Sequence, residues 1–213
     1  MAVESELVGD RPVDGEPVAE RPVDGGVDVA ADAGPRTVLM SACLAGTRCA
    51  YDGNAAKQEV PLPDAARVRL VCPEVMGGLG TPRDRAEIVG GDGFDVLDGR
   101  ARVLTYRGED VTEEYLAGAR RVLRIARATG AAGAVLQDYS PSCGCRQVSD
   151  GSFRRVRVPG MGVTAALLTR NGYQVVAHHE YDPSASPPQR PSGAAEGTGG
   201  AAEGEPGRPE ALG

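Results

Sequence analysis

Nowhere do the 213 residues contain the ~20 consecutive apolar residues of a transmembrane helix. The N-terminus carries acids where a signal peptide has a basic start and an apolar middle. There is no Cys-x2-Cys pair among the five cysteines, so the usual knuckle of a closed structural zinc site is missing. Clustered positive charge of the kind a nucleic-acid surface needs is also lacking. Arg120, Arg121, Arg124 and Arg127 do gather on one helix, but a solvated face accounts for them. These absences predict a cytoplasmic protein with no membrane or nucleic-acid partner. In that compartment its cysteines are expected as reduced thiols or metal ligands rather than a disulfide frame.

Aromatic residues are scarce, at 4% with no tryptophan, and all eight fall between Tyr51 and Tyr181. The cysteines lie between Cys43 and Cys145, whereas ten of 16 prolines lie outside 37–181. Charge divides the same way. Residues 1–36 balance at −6 and 182–213 at −3, which leaves the middle at about +2 of a total of −7. One compact domain over 37–181 is therefore expected, flanked by disordered tails at 1–36 and 182–213 that cannot bury enough apolar surface to offset their ordering entropy. The first tail holds a degenerate repeat, Arg11-Pro-Val-Asp-Gly15 returning as Arg21-Pro-Val-Asp-Gly25, too short for a solenoid.

Within the domain, strands alternate with helices. Thr37–Ala42 and Val68–Val71 read as short buried strands, and Ala132–Gln137 as a third. A helix starts near Asp110, expected to cap it with Glu113 in a capping box. It buries Tyr115, Ala119, Val122 and Ile125 and ends at Gly130. A second helix, 163–170, closes at Asn171-Gly172, and Tyr173–Ala177 forms a last strand. Asp95–Leu97 and Arg102–Thr105 read as a hairpin around Asp98-Gly99-Arg100. The pattern predicts an α/β fold, a small, largely parallel sheet flanked by helices in Rossmann-like layers.

Cysteine placement carries the chemistry. Cys43 ends the first strand, Cys72 ends the second and Cys143 follows the third. In an open α/β sheet ligands bind beyond the carboxyl ends of the strands, so three thiols are expected at one rim. Soft sulfur ligands select zinc, copper(I) or iron–sulfur clusters. The competing reading is that these cysteines are small buried hydrophobes. Cys49, in the loop after Cys43, and Cys145, beside Cys143, are reserve ligands. Thiol redox chemistry between Cys143 and Cys145 ranks last, because their disulfide would close a very tight ring.

The chain resembles the DUF523 family of small bacterial proteins over about 37–178. The resemblance rests on Ser41-Ala42-Cys43-Leu44, Cys49-Ala50-Tyr51-Asp52-Gly53 and 71–79, Val-Cys-Pro-Glu-Val-Met-Gly-Gly-Leu. It continues through Thr81-Pro82-Arg83, 86–93, Ser140-Pro141-Ser142-Cys143-Gly144 and 160–168. The family's characterised representative is a thiouracil desulfidase. The resemblance implies a 4Fe–4S cluster on Cys43, Cys72 and Cys143 with one open iron. It further implies non-redox hydrolytic removal of sulfur, as sulfide, from a small-molecule thiolated nucleobase. Two departures stand out: Gln137-Asp138-Tyr139 replaces a stretch where the family has a basic residue, and Cys145 could close the open iron. The alternative function is then a non-enzymatic metal- or cluster-binding protein.

Such chemistry needs an acid–base group. Glu74, two residues after Cys72 and stiffened by Pro73, is the first choice, with Ser142 and Ser140 orienting water or substrate. Asp52 and Arg83 are candidate substrate contacts, although Asp52-Gly53 is also a turn signal. Gly90-Gly91-Asp92-Gly93 lacks the strand-then-helix frame of a phosphate cradle. His178 and His179 are expected at the surface, pointing opposite ways.

Overall fold

The computed structural model describes residues 36–56, 58, 60, 67–182 and 188. Four strands, β1 (Thr37–Ser41), β2 (Arg67–Val71), β5 (Gly133–Leu136) and β8 (Gln174–Ala177), form one sheet in the order β2-β1-β5-β8. Every pairing in it is parallel. Two antiparallel pairs stand apart from it. One joins β3 (Ala86–Val89) to β4 (Arg102–Thr105), the other β6 (Gln147–Ser149) to β7 (Arg157–Pro159).

Among the described residues there are four helices: α1 (Pro73–Met76), α2 (Gly93–Leu97), α3 (Thr112–Ala128) and α4 (Val163–Arg170). The core joins Leu39 and Val71 to Ala134 and Leu136 of the sheet, and these to Val122, Ala126, Ala165 and Leu168 of α3 and α4. A second cluster seats Tyr115 and Ala119 of α3 against Ile88 and Val103 of the β3–β4 pair. The α/β class and the parallel sheet are thus as the sequence reads.

Three local readings differ. β2 is exposed at every residue but Val71, because it is an edge strand. Gly93–Leu97 is helical rather than the first arm of a hairpin. Asp92 caps it by accepting from Phe94 N at 2.8 Å, and Asp95 Oδ2 accepts in turn from Asp92 N at 3.1 Å. That reciprocal box uses the Gly90–Gly93 stretch as a helix start, and β4 pairs with β3 instead. The expected box at α3 is absent: Val111 is its cap and Asp110 accepts from Thr112 N at 3.0 Å.

The tails, 1–36 and 182–213, lie outside the described residues except for Arg36, Asp182 and Pro188. Pro188 is buried, and a Cβ on Gly133 would come within 2.4 Å of its ring. No helix among the described residues is long and apolar enough to cross a membrane.

Candidate functional site

Register brings the ends of three strands to one rim. Ser41 of β1 faces Val71 of β2, and Met40 of β1 faces Val135 of β5. Cys43, Cys72 and Cys143 follow these ends and line one cavity of about 280 Å³. That is close to the lower end of the ~300–1,000 Å³ common for small-molecule sites. Cys49 lines it as well.

Two glycines set the approach of α1. A Cβ on Gly77 would lie 2.0 Å from the Glu114 carbonyl oxygen, and one on Gly118 would lie 2.0 Å from that of Pro73. Glycine at both places lets α1 and α3 touch backbone to backbone. The contact carries Cys72, the N-cap of α1, and Glu74 to the rim.

Glu74 is held from two sides. Arg83 donates to its Oε2 from Nε at 2.7 Å and again from Nη2. Ser140 Oγ donates to its Oε1 at 3.2 Å. Ser140 Oγ also accepts from the backbone N of Ser142 and of Cys143, each at 3.1 Å, so one hydroxyl ties the acid to the turn bearing Cys143. Arg83 further donates to Gly80 O at 3.1 Å, Thr81 Oγ1 at 3.2 Å and Cys49 O at 3.0 Å. Those bonds use all five guanidinium N–H groups. Burial works against the Arg83 charge, but the Glu74 carboxylate outweighs it and raises the Arg83 pKa above its usual value.

Burial dominates the thiols. It pushes Cys43 up to about 11, with Cys72 adding to the effect. Cys49 rises to about 12 through burial and then Cys72. Buried Cys143 is raised as well, against an opposing hydrogen bond from Ser41. Thiols that resist ionisation and repel one another as anions release their protons when a group that brings positive charge binds in their place. Soft metals and iron–sulfur clusters fit this donor set. Among the described residues, no three His, Cys, Asp or Glu side chains are gathered closely enough for a single metal ion. A tetrahedral zinc would want sulfurs within about 4 Å of one another.

Of the residues singled out from the sequence, Cys43, Cys72, Cys143, Glu74, Ser140 and Arg83 meet at this cavity. Ser142 does not. Its hydroxyl is buried 3.0 Å from Thr164 Oγ1 in the first turn of α4, whereas Ser140, Pro141 and Cys143 line the cavity. Asp52 is exposed and accepts from Asn54 N and Nδ2, each at 3.0 Å, as a turn residue. Cys145 is buried outside the cavity lining, with its Sγ 3.3 Å from the Cys143 carbonyl oxygen. Its pKa is pushed to about 12 by burial and then by Asp138. His178 is half-buried rather than at the surface, whereas His179 is exposed.

Sequence reasoning missed three features. Tyr115, read as a core position of α3, lines the cavity. Its hydroxyl was the available signal, since a buried phenol usually has a polar task. Glu87 is 2% exposed, also lines the cavity, and accepts from Phe153 N at 2.9 Å, which fastens the turn between β6 and β7. An acid inside an otherwise apolar strand marks a position that needs a partner. Asp138 is buried too, and its Oδ1 accepts from Cys145 N at 2.8 Å and Arg146 N at 3.1 Å. It staples the chain beyond Cys143.

An α/β protein with thiols and a paired carboxylate at the carboxyl rim of its sheet defines a sulfur-rich small-molecule site. The model of the 2-thiouracil desulfurase family matches residues 38–180. An uncharacterized protein of Bacillus subtilis strain 168, YbbK, is 44% identical over 145 residues, 67% of this chain and 96% of that protein. Among solved structures, the 4Fe–4S-dependent thiouracil desulfidase TudS is similar, with a TM-score of 0.57 and 36% identity over 67% of this chain and 90% of that one. The chain belongs to the 2-thiouracil desulfurase family.

Proposed function

We propose that this protein is an iron–sulfur-dependent desulfidase that replaces the sulfur of a 2-thiouracil-like base with oxygen from water. The observation that carries the reading is the meeting of three strand-end cysteines with an ion-paired carboxylate on one cavity. Cys43, Cys72 and Cys143 would hold a 4Fe–4S cluster and leave one iron without a protein ligand. When bound, the cluster supplies a Lewis acid for the thiocarbonyl sulfur.

The remaining work falls to the side chains. The base and water give the oxo base and hydrogen sulfide: a C–O bond forms, a C–S bond breaks, and no electron is gained or lost. Water must lose a proton, and the departing sulfide must take one up. Glu74 holds that proton. Arg83 occupies its Oε2, which leaves Oε1, beside Ser140 Oγ, as the working atom. Arg83 is a positioning residue here, since none of its N–H groups remains for a substrate anion.

A second reading, a metal- or cluster-binding protein closed by a fourth cysteine, draws on Cys49, which lines the cavity and whose carbonyl oxygen lies 3.8 Å from Cys72 Sγ. Loss of iron in Cys49→Ser would favour it. The desulfidase reading is tested by reconstituting the protein with iron and sulfide without oxygen, then supplying 2-thiouracil. Uracil and sulfide should appear together. An iron-loaded protein that yields neither, or one that takes up zinc but no iron, overturns it.

A further inference from the structure

Tyr115 stands in the first turn of α3, three residues before Gly118. The Gly77–Gly118 contact holds α1 against α3, and Tyr115 lines the cavity together with Pro73 and Glu74. The residue is 2% exposed yet lines the cavity. The ionisable groups that act on its phenol include Glu74, Arg83, Cys143 and Cys72, which puts the ring among the groups that define the site. A core position with no polar task is filled equally well by phenylalanine or leucine, so the hydroxyl calls for a use.

The side-chain donors that hold Glu74 are already engaged. Arg83 has spent its five N–H groups, and the Ser140 hydroxyl donates to Glu74. Cysteines that hold a metal are thiolates and donate nothing. Water addition to a thiocarbonyl carbon drives negative charge into the ring, and such charge is stabilised by a fixed donor in a site that excludes bulk water.

We propose that Tyr115 is a catalytic residue whose hydroxyl donates a hydrogen bond to the ring atom of the thiolated base that gains charge as water adds. This inference rests on the desulfidase reading. No bond is made or broken at Tyr115, and its proton stays on the phenol oxygen throughout.

Tyr115→Phe keeps the ring and removes only the hydroxyl. Wild type and Y115F are reconstituted together and compared for iron content, melting temperature, turnover of 2-thiouracil and calorimetric binding of uracil, the product. Iron content and melting temperature should be unchanged, with kcat down about 100- to 1,000-fold, as for a lost oxyanion-type donor. KM should move little and uracil should bind about 3- to 10-fold more weakly, the worth of one neutral hydrogen bond. Unchanged kcat and unchanged uracil binding would overturn the assignment and leave Tyr115 as packing. Loss of iron would also overturn it, by making the tyrosine a support of the cysteine site. The two readings fail separately. A wild-type protein that binds uracil but releases no sulfide sinks the desulfidase reading, and the binding comparison still judges the Tyr115 contact.

Discussion

Removing Arg83 while leaving Glu74 should be among the most damaging single changes outside the cysteines. The two side chains are 8% and 13% exposed, so Arg83→Met strands a nearly buried carboxylate. Breaking such a pair costs about 3–5 kcal/mol. Since the pair borders a cavity that water can enter, about 3 kcal/mol is the figure to expect. At ~2–4 °C per kcal/mol for a chain of this size, the melting temperature should fall by roughly 6–12 °C. Arg83→Lys should not rescue it, because an ammonium cannot make the forked contact to Glu74 and also reach Gly80, Thr81 and Cys49. Glu74→Gln in the R83M background should recover part of the loss, since an uncharged amide is cheaper to bury. Thermal and urea melts of the metal-free wild type, both singles and the double variant measure the coupling. A loss under about 1 kcal/mol in R83M, or single effects that add to within about 0.5 kcal/mol, would refute the claim that Arg83 acts by holding Glu74.

Other predictions follow from the same geometry. Cys43→Ser, Cys72→Ser and Cys143→Ser should each abolish the reconstituted iron content, whereas Cys145→Ser, outside the cavity lining, should keep it; iron analysis decides, and loss of iron in C145S would contradict the assignment. Gly118→Ala would put a Cβ 2.0 Å from the Pro73 carbonyl oxygen, so a cost of about 2–3 kcal/mol and reduced iron loading are expected, read by melts and iron assay. For Asp138, burial works against the charge, but backbone N–H donors including Arg146 and Cys145 outweigh it and hold its pKa below the usual 3.8. Its contribution is therefore complete above the unfolded value and lost as pH falls through the lower folded one. Asp138→Asn should flatten the loss of stability that acid melts show as pH falls below the usual 3.8, and an unchanged acid limb would count against the staple.

The sequence showed the rim more clearly than its contents. Cys43, Cys72 and Cys143 each follow an apolar run, so strand ends and cysteines could be read together, and parallel pairing did the rest. Ser140 and Ser142 could not be told apart, because both stand in a single Ser-Pro-Ser turn. Only the packing, which sets the Ser142 hydroxyl 3.0 Å from Thr164 Oγ1, shows which one faces α4. Arg83 looked like a substrate contact because sequence gives no count of donors already engaged. Asp92 and Asp95 form a box invisible to a search for strand-like alternation, hence the mistaken hairpin. Val68 and Leu70 are apolar but exposed at 42% and 41%, since a strand's place at a sheet edge depends on residues far along the chain.

The central claim is that this site exchanges sulfur for oxygen without redox chemistry. It is met most directly by supplying 2-thiouracil to the anaerobically reconstituted protein in ¹⁸O-labelled water, with no oxidant or reductant added. The account predicts one sulfide released per uracil formed, with one labelled oxygen in each uracil. Sulfide without labelled uracil, or turnover that begins only when a reductant is added, would contradict it.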